Sequence, residues 1–106
     1  MAIIVRTAAI AGLIVANALA SAAVADPRRG AALARRSCTS CHVVASGQAQ
    51  ANPAAPPFPT VARQPGFDRE KLAFFLLEPH PKTPTMGLGR RDVTDLADYI
   101  ATLAKK

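Results

Sequence analysis

Cys38, Cys41 and His42 are the residues whose types and spacing most directly predict chemistry. They form the motif CTSCH, and the 106-residue chain contains no other cysteine. In a CxxCH pattern each thiol can add to a vinyl group of haem, while the histidine after the second cysteine can ligate the iron. The motif therefore predicts one covalently attached haem c.

Other uses of two neighbouring cysteines fit the sequence less well. A thioredoxin-like redox site needs a preceding strand, and a zinc site needs two further ligands. The sequence has no alternating run of β-branched residues, and its only other histidine is His80. A disulfide closing so short a loop would restrict the unfolded chain very little. Haem attachment is therefore the favoured interpretation.

Met86 is the predicted second ligand of the iron. It lies in PTMGLG, a loop stiffened by Pro81 and Pro84, and Met1 is the only other methionine. A thioether held at a fixed place can bind haem iron and raise its potential. One alternative is a methionine that only fills a gap. Another is His80 as the ligand, but its place between two prolines favours an exposed turn.

Three predicted helices position these residues. The first covers residues 27–37, begins after Asp26 as N-cap, and leads directly into the CTSCH motif. The second covers residues 69–78 and has Asp68 as a plausible N-cap. The third covers residues 90–104, where apolar side chains recur at three- and four-residue steps and predict one buried side.

Proline-rich segments at residues 52–65 and 79–84 separate these helices. Because proline fixes its own backbone angle and lacks an N–H, we expect both segments to be rigid loops, neither regular helix nor central strand. Phe58, Val61 and Phe67 provide them with apolar anchors. Together these patterns predict an all-α fold.

Residues 1–25 have the pattern of a signal peptide. Arg6 is their only charge, and they end in Ala-Val-Ala, the small residues that signal peptidase requires. An uncleaved membrane anchor is the alternative, since about 20 apolar residues can span a bilayer. Residues 18–25 are mostly alanine and serine, which favours cleavage before Asp26 and a single mature domain at residues 26–106.

The mature chain is small and basic. Removing 25 residues from 106 leaves 81, and losing Arg6 lowers the formal charge from +6 to +5. A domain this small usually needs a disulfide, a metal ion or another cross-link to be stable, and a covalent haem would meet that need.

The basic residues are scattered along the chain without aromatic residues between them, which argues against nucleic-acid binding. A periplasmic monomer without stable membrane insertion is the favoured interpretation. Its positive charge either steers it toward acidic redox partners or is an ordinary solvated surface.

The mature sequence resembles a small class I c-type cytochrome of the bacterial periplasm. Gly30 stands eight residues before CTSCH, PTMGLG supplies a methionine loop, and DLADYIATL forms a terminal helix. The resemblance covers almost all of residues 27–104. It implies about three main helices around one haem, with Cys38 and Cys41 as thioether attachments and His42 and Met86 as iron ligands.

The resemblance also implies roles for residues outside these motifs. A proline carbonyl is expected to accept the second ring N–H of the ligating histidine, and Pro56 matches that place better than Pro57. Ala34 stands where the family often has an aromatic residue. The expected crossing of the first and last helices joins Gly30 and Leu33 to Leu96, Tyr99 and Ile100.

These features predict a one-electron carrier rather than an enzyme. No pair of carboxylates, nucleophile with its base, or phosphate-binding loop is recognisable in the mature chain. Arg63, Arg90 and Arg91 could pair with haem propionates, because guanidinium suits carboxylates. The alternatives are a haem subunit of a larger oxidoreductase complex, and an enzyme or gas sensor with five-coordinate haem.

Overall fold

All elements in the described part of the chain are helical, as the sequence predicts. A computed structural model describes residues 24–49, 52–79 and 86–105. Its elements are α1 (Pro27–Ser37), α2 (Phe58–Ala62), α3 (Arg69–Leu77), α4 (Arg90–Thr102) and a closing 3-10 turn, Leu103–Lys105. Within those residues, no helix is both long and apolar enough to cross a membrane. The predicted signal peptide lies almost entirely outside them.

Helix α1 begins and ends where the sequence predicts. The Asp26 carboxylate accepts hydrogen bonds from the backbone N–H groups of Arg28 at 2.9 Å and Arg29 at 3.3 Å. Two of the donors that a helix start leaves without partners are thereby satisfied. At the other end, the Cys38 N–H donates to the carbonyl of Ala34. The first cysteine is therefore attached directly to a rigid helix.

The other two predicted helices are confirmed with small changes at their ends. Asp68 caps α3 through the N–H groups of Glu70 and Lys71, and α3 ends at Leu77, one residue earlier than predicted. Helix α4 ends at Thr102 and tightens into the 3-10 turn. Such tightening of a last turn is common, because it satisfies carbonyls that the helix end leaves exposed.

The prediction that residues 52–65 contain no helix is wrong. Helix α2 occupies Phe58–Ala62 inside this segment, with Pro57 as N-cap and Pro59 in its first turn. Proline is tolerated there because the N–H it lacks has no partner within the helix. The apolar anchors behave as predicted: Phe58 is buried, while Val61 and Phe67 pack against the core.

The core is centred on the crossing of α1 and α4. Leu33 packs in the same buried cluster as Leu96 and Ile100, as the resemblance implies. A Cβ atom built on Gly30 would lie 2.9 Å from the Cβ of Tyr99 and only 2.0 Å from the carbonyl oxygen of Asp95. The two backbones therefore approach so closely that no side chain fits at position 30.

Candidate haem site

The CTSCH motif forms a tight turn at the end of α1. The N–H groups of Cys41 and His42 both donate to the carbonyl of Cys38, at 3.2 and 2.8 Å. This turn directs both cysteines and the histidine toward one cavity of about 510 Å³. Cofactor sites commonly have volumes of about 300–1,000 Å³.

The walls of this cavity combine metal-binding side chains with apolar ones. All five predicted site residues line it: Cys38, Cys41, His42, Pro56 and Met86. Most of the remaining wall is apolar and comes from α2, α3 and α4: Phe58, Val61, Leu72, Phe75, Leu76, Leu96 and Ile100. Two thiols, an imidazole, a thioether and an apolar wall are the donor set and surroundings that a covalently bound haem requires. The residues present therefore fit the cofactor that the motif predicts.

The His42 ring is held by the backbone of the proline-rich segment. Its Nδ1 atom lies 2.7 Å from the carbonyl oxygen of Pro56, and its ring centroid lies 5.1 Å from that of Phe58. Because a carbonyl can only accept, Nδ1 carries a proton, and in the neutral ring Nε2 then has the lone pair that a metal ion needs. The Pro57 carbonyl accepts from the N–H of Val61 within α2.

Two side chains brace the loop after His42, in roles that the sequence does not indicate. Gln48 accepts from the N–H of Val44 at 3.0 Å and donates to the carbonyl of His42 at 2.8 Å. From α4, the Tyr99 hydroxyl donates to the carbonyl of Val44 at 2.5 Å. No local signal distinguishes Gln48 from any exposed loop glutamine, because its partners are set by the fold of the loop.

Replacing Gln48 with alanine is expected to lower the free energy of unfolding by about 1–3 kcal/mol. The substitution leaves the N–H of the buried Val44 and the carbonyl of His42 without this partner. Denaturant unfolding of the holoprotein would measure the loss. Gln48→Glu is the matched control, since it keeps the acceptor for Val44 and removes only the donor. If both variants unfold like the parent, Gln48 does not brace the loop.

Met86 lies on the cavity wall, half-buried, at the start of the segment that leads into α4. Gly87 follows it with φ at 64°, a left-handed conformation that favours glycine. The backbone of PTMGLG thus adopts a left-handed conformation directly after Met86, the candidate sulfur ligand. His80, Pro81 and Pro84 lie outside the described residues.

The two cysteines differ in exposure. Both are free thiols, Cys38 buried and Cys41 partly exposed. Burial raises the pKa of the Cys38 thiol to about 11. The Cys38 side chain is therefore the neutral thiol at pH 7, a form that resists oxidation to a disulfide.

The arginines considered for haem propionates all lie on the surface. Arg63, Arg90 and Arg91 are exposed, and the cavity is lined by other residues. Arg91 instead lies 3.9 Å from Asp95. Their pairing with propionates remains a prediction.

Comparison with known proteins identifies one family across most of the chain. The cytochrome c family matches residues 27–104. Cytochrome c-552 from Bradyrhizobium diazoefficiens is 55% identical over 91 residues, which cover 86% of this chain and 88% of that protein. No solved structure gives a significant match. Members of this family carry a covalently attached haem c, and the CTSCH motif is consistent with it.

Proposed function

Because the chain belongs to the cytochrome c family, an electron-carrier family, we propose that it is an exported one-electron shuttle with a His/Met-ligated haem. In this proposal Cys38 and Cys41 hold the cofactor through thioether bonds, and His42 and Met86 ligate the iron. The haem supplies an iron that alternates between ferrous and ferric states. The single observation that carries the proposal is that all of these side chains line one apolar cavity.

The hydrogen bond from His42 to Pro56 supports the proximal role. It fixes the ring orientation and places the proton on Nδ1. Such a bond also increases the basicity of the second nitrogen, which strengthens its bond to a metal. Braced by Gln48 and Tyr99, the loop would hold this ligand in one place through both oxidation states.

Two protein ligands to the iron would favour electron transfer over catalysis. A thioether from Met86 would fill the position that a substrate or gas needs in a five-coordinate haem protein. The largely apolar walls would lower the polarity around the iron and so favour the less charged ferrous state. We therefore propose that the protein is a carrier and not an enzyme.

The export and docking parts of the proposal rest on the sequence. Cleavage of residues 1–25 would release a periplasmic monomer of residues 26–106 with a formal charge of +5. Exposed basic residues at the end of α1, Arg35 and Arg36, lie next to Ser37 on the cavity wall. A positive surface beside the cofactor would attract an acidic redox partner and speed encounter at low salt.

Met86→Leu tests the ligation, because leucine keeps the side-chain volume and removes the sulfur. The ferric variant should lose the weak red absorption band of sulfur-to-iron ligation, and the ferrous variant should bind carbon monoxide. Its potential should fall on the order of 0.1 V or more, within the roughly 0.8 V range that axial ligands span.

Two control variants distinguish ligation by the Met86 thioether from a packing effect and from ligation by His80. Leu88→Ala changes an apolar side chain that packs against the core near Met86, and it should leave the red band intact. His80→Ala should do the same. If the unsubstituted ferrous protein binds carbon monoxide rapidly at neutral pH, the six-coordinate proposal is wrong. If His80→Ala and not Met86→Leu changes the spectrum, His80 is the ligand.

A further inference from the structure

A buried carboxylate on α4 faces the start of the mature chain. Asp95 is 2% exposed. Its Oδ1 atom accepts a hydrogen bond of 2.8 Å from the backbone nitrogen of Asp26, and its Oδ2 atom accepts one of 2.6 Å from Arg29. The second terminal nitrogen of the Arg29 guanidinium pairs with Asp92 at 2.6 Å.

The positive charges that pair with the Asp95 carboxylate are carried by exposed arginine side chains. The Arg29 side chain is 39% exposed and is shared with Asp92, while Arg91 is 72% exposed and lies 3.9 Å away. A buried carboxylate needs close pairing to offset the loss of its hydration. In the uncleaved chain the Asp26 nitrogen can offer only a neutral amide N–H.

We infer that Asp95 is the binding site for the amino terminus that signal-peptide cleavage creates at Asp26. This inference rests on the cleavage position given under Proposed function. Hydrolysis of the Ala25–Asp26 peptide bond consumes one water, leaving a carboxylate on Ala25 and an amine on Asp26 that is protonated at neutral pH. Cleavage would thus convert the amide hydrogen bond into an ion pair between the α-ammonium and Asp95.

The nitrogen can keep its place after cleavage because other atoms of Asp26 anchor the residue. Its carboxylate caps α1, and its carbonyl accepts from the N–H of Gly30 at 3.0 Å. Gly30 is in turn pressed against the backbone of Asp95. Val24 is 88% exposed, so this residue contributes little packing that cleavage would remove. The ion pair therefore forms without rearrangement of either helix.

Several charged groups surround this ammonium position. Those on α1 and α4 are the carboxylates of Asp26, Asp92 and Asp95 and the cations Arg29 and Arg91. Across the groove beside Ala25 lie Arg69, Glu70 and Asp98, and Arg69 is paired with Asp98. The group closest to the nitrogen is a carboxylate, which favours the protonated amine.

The ion pair predicts a specific pH dependence of stability. Pairing raises the pKa of the amine in the folded state above its unfolded value of about 7.7–8.0. The stabilisation is therefore fully present below about pH 7.7 and is lost as pH rises through the higher folded pKa.

The test compares holoproteins that differ only in the residue at which they begin. One begins at Asp26, and the other begins at Val24, where the amine is exposed and the Asp26 nitrogen remains an amide. Each is made with Asp95 and with Asp95→Asn, and unfolding is followed in urea because a salt denaturant would screen the ion pair. Mass spectrometry first establishes the start of the naturally exported chain.

The naturally exported chain should begin at Asp26. Asp95→Asn should lower the folding equilibrium constant about tenfold more in the Asp26 protein than in the Val24 protein, as a one-unit pKa difference implies. The advantage of the Asp26 protein should vanish as pH rises from about 7 to about 10. That pH comparison needs no substitution and remains decisive if Asp95→Asn does not fold.

Equal effects of Asp95→Asn in the two proteins, or equal pH dependence, would overturn the inference. A natural start at another residue would also overturn it, together with the proposed cleavage position. The haem mass and the red absorption band are recorded in all four proteins. They report on electron-carrier function separately, so a failure of the ion pair and a failure of haem ligation are distinguishable.

Discussion

Replacing both Cys38 and Cys41 with serine is expected to abolish covalent haem attachment and, with it, the stable fold. The walls of the cavity are part of the core: Leu96, Ile100 and Phe58 line it, and each is at most 6% exposed. Without haem these apolar walls would be exposed to water or would have to collapse, and each Å² of apolar surface left exposed costs about 25 cal/mol. Typical domains are stable by only about 5–15 kcal/mol, so little stability is available to offset this loss.

Intact mass and far-ultraviolet circular dichroism of the exported protein would measure both losses. The two single variants are the controls, because each retains one thiol and should keep one thioether bond. Cys38→Ser should be the more destabilising of the two, since Cys38 is 7% exposed and belongs to the core. A double variant that still carries covalent haem mass would show that the attachment lies elsewhere.

Local signals explain why most helix positions could be predicted from the sequence. Asp26 and Asp68 cap α1 and α3 with their own side chains, so the start of each helix is determined within three residues. The missed helix α2 shows the limit of a rule about residue type. Proline excludes a helix interior, but Pro59 occupies a first turn, where it costs little.

The chemistry of the site was predictable because CTSCH carries it within five adjacent residues. The residues that hold the site in place through hydrogen bonds were harder to predict. The resemblance favoured Pro56 over Pro57, and the carbonyl of Pro56 lies within hydrogen-bond distance of His42. Nothing in the sequence relates Gln48 to the His42 carbonyl.

The buried charge of Asp95 was missed for a similar reason. In the sequence, nothing distinguishes Asp95 from an ordinary exposed charged residue on a helix. In the structure it is 2% exposed. Its partners Asp26 and Arg29 are 69 and 66 residues away. Only the crossing of α1 and α4 brings them together, and that crossing depends on Gly30.

Gly30→Ala is therefore expected to destabilise the protein, although alanine normally favours a helix over glycine by about 1 kcal/mol. The new Cβ atom would lie 2.0 Å from the carbonyl oxygen and 2.6 Å from the carbonyl carbon of Asp95. Both are backbone atoms, so α1 and α4 must separate. Overpacking that shifts backbone costs about 1–3 kcal/mol and occasionally more. A contact as short as this one belongs at the upper end of that range, which outweighs the gain in helix propensity.

Gly89→Ala is the matched control, because it makes the same chemical change where space allows it. A Cβ atom there would lie 3.6 Å from a carboxylate oxygen of Asp92, an ordinary contact. Gly89→Ala should lower the free energy of unfolding by no more than about 1 kcal/mol, the usual effect of alanine at an N-cap. Urea unfolding of both holoproteins gives the comparison. If Gly30→Ala is as stable as Gly89→Ala, the two helices do not approach closely in solution, and Asp95 loses the contact that holds it against Asp26.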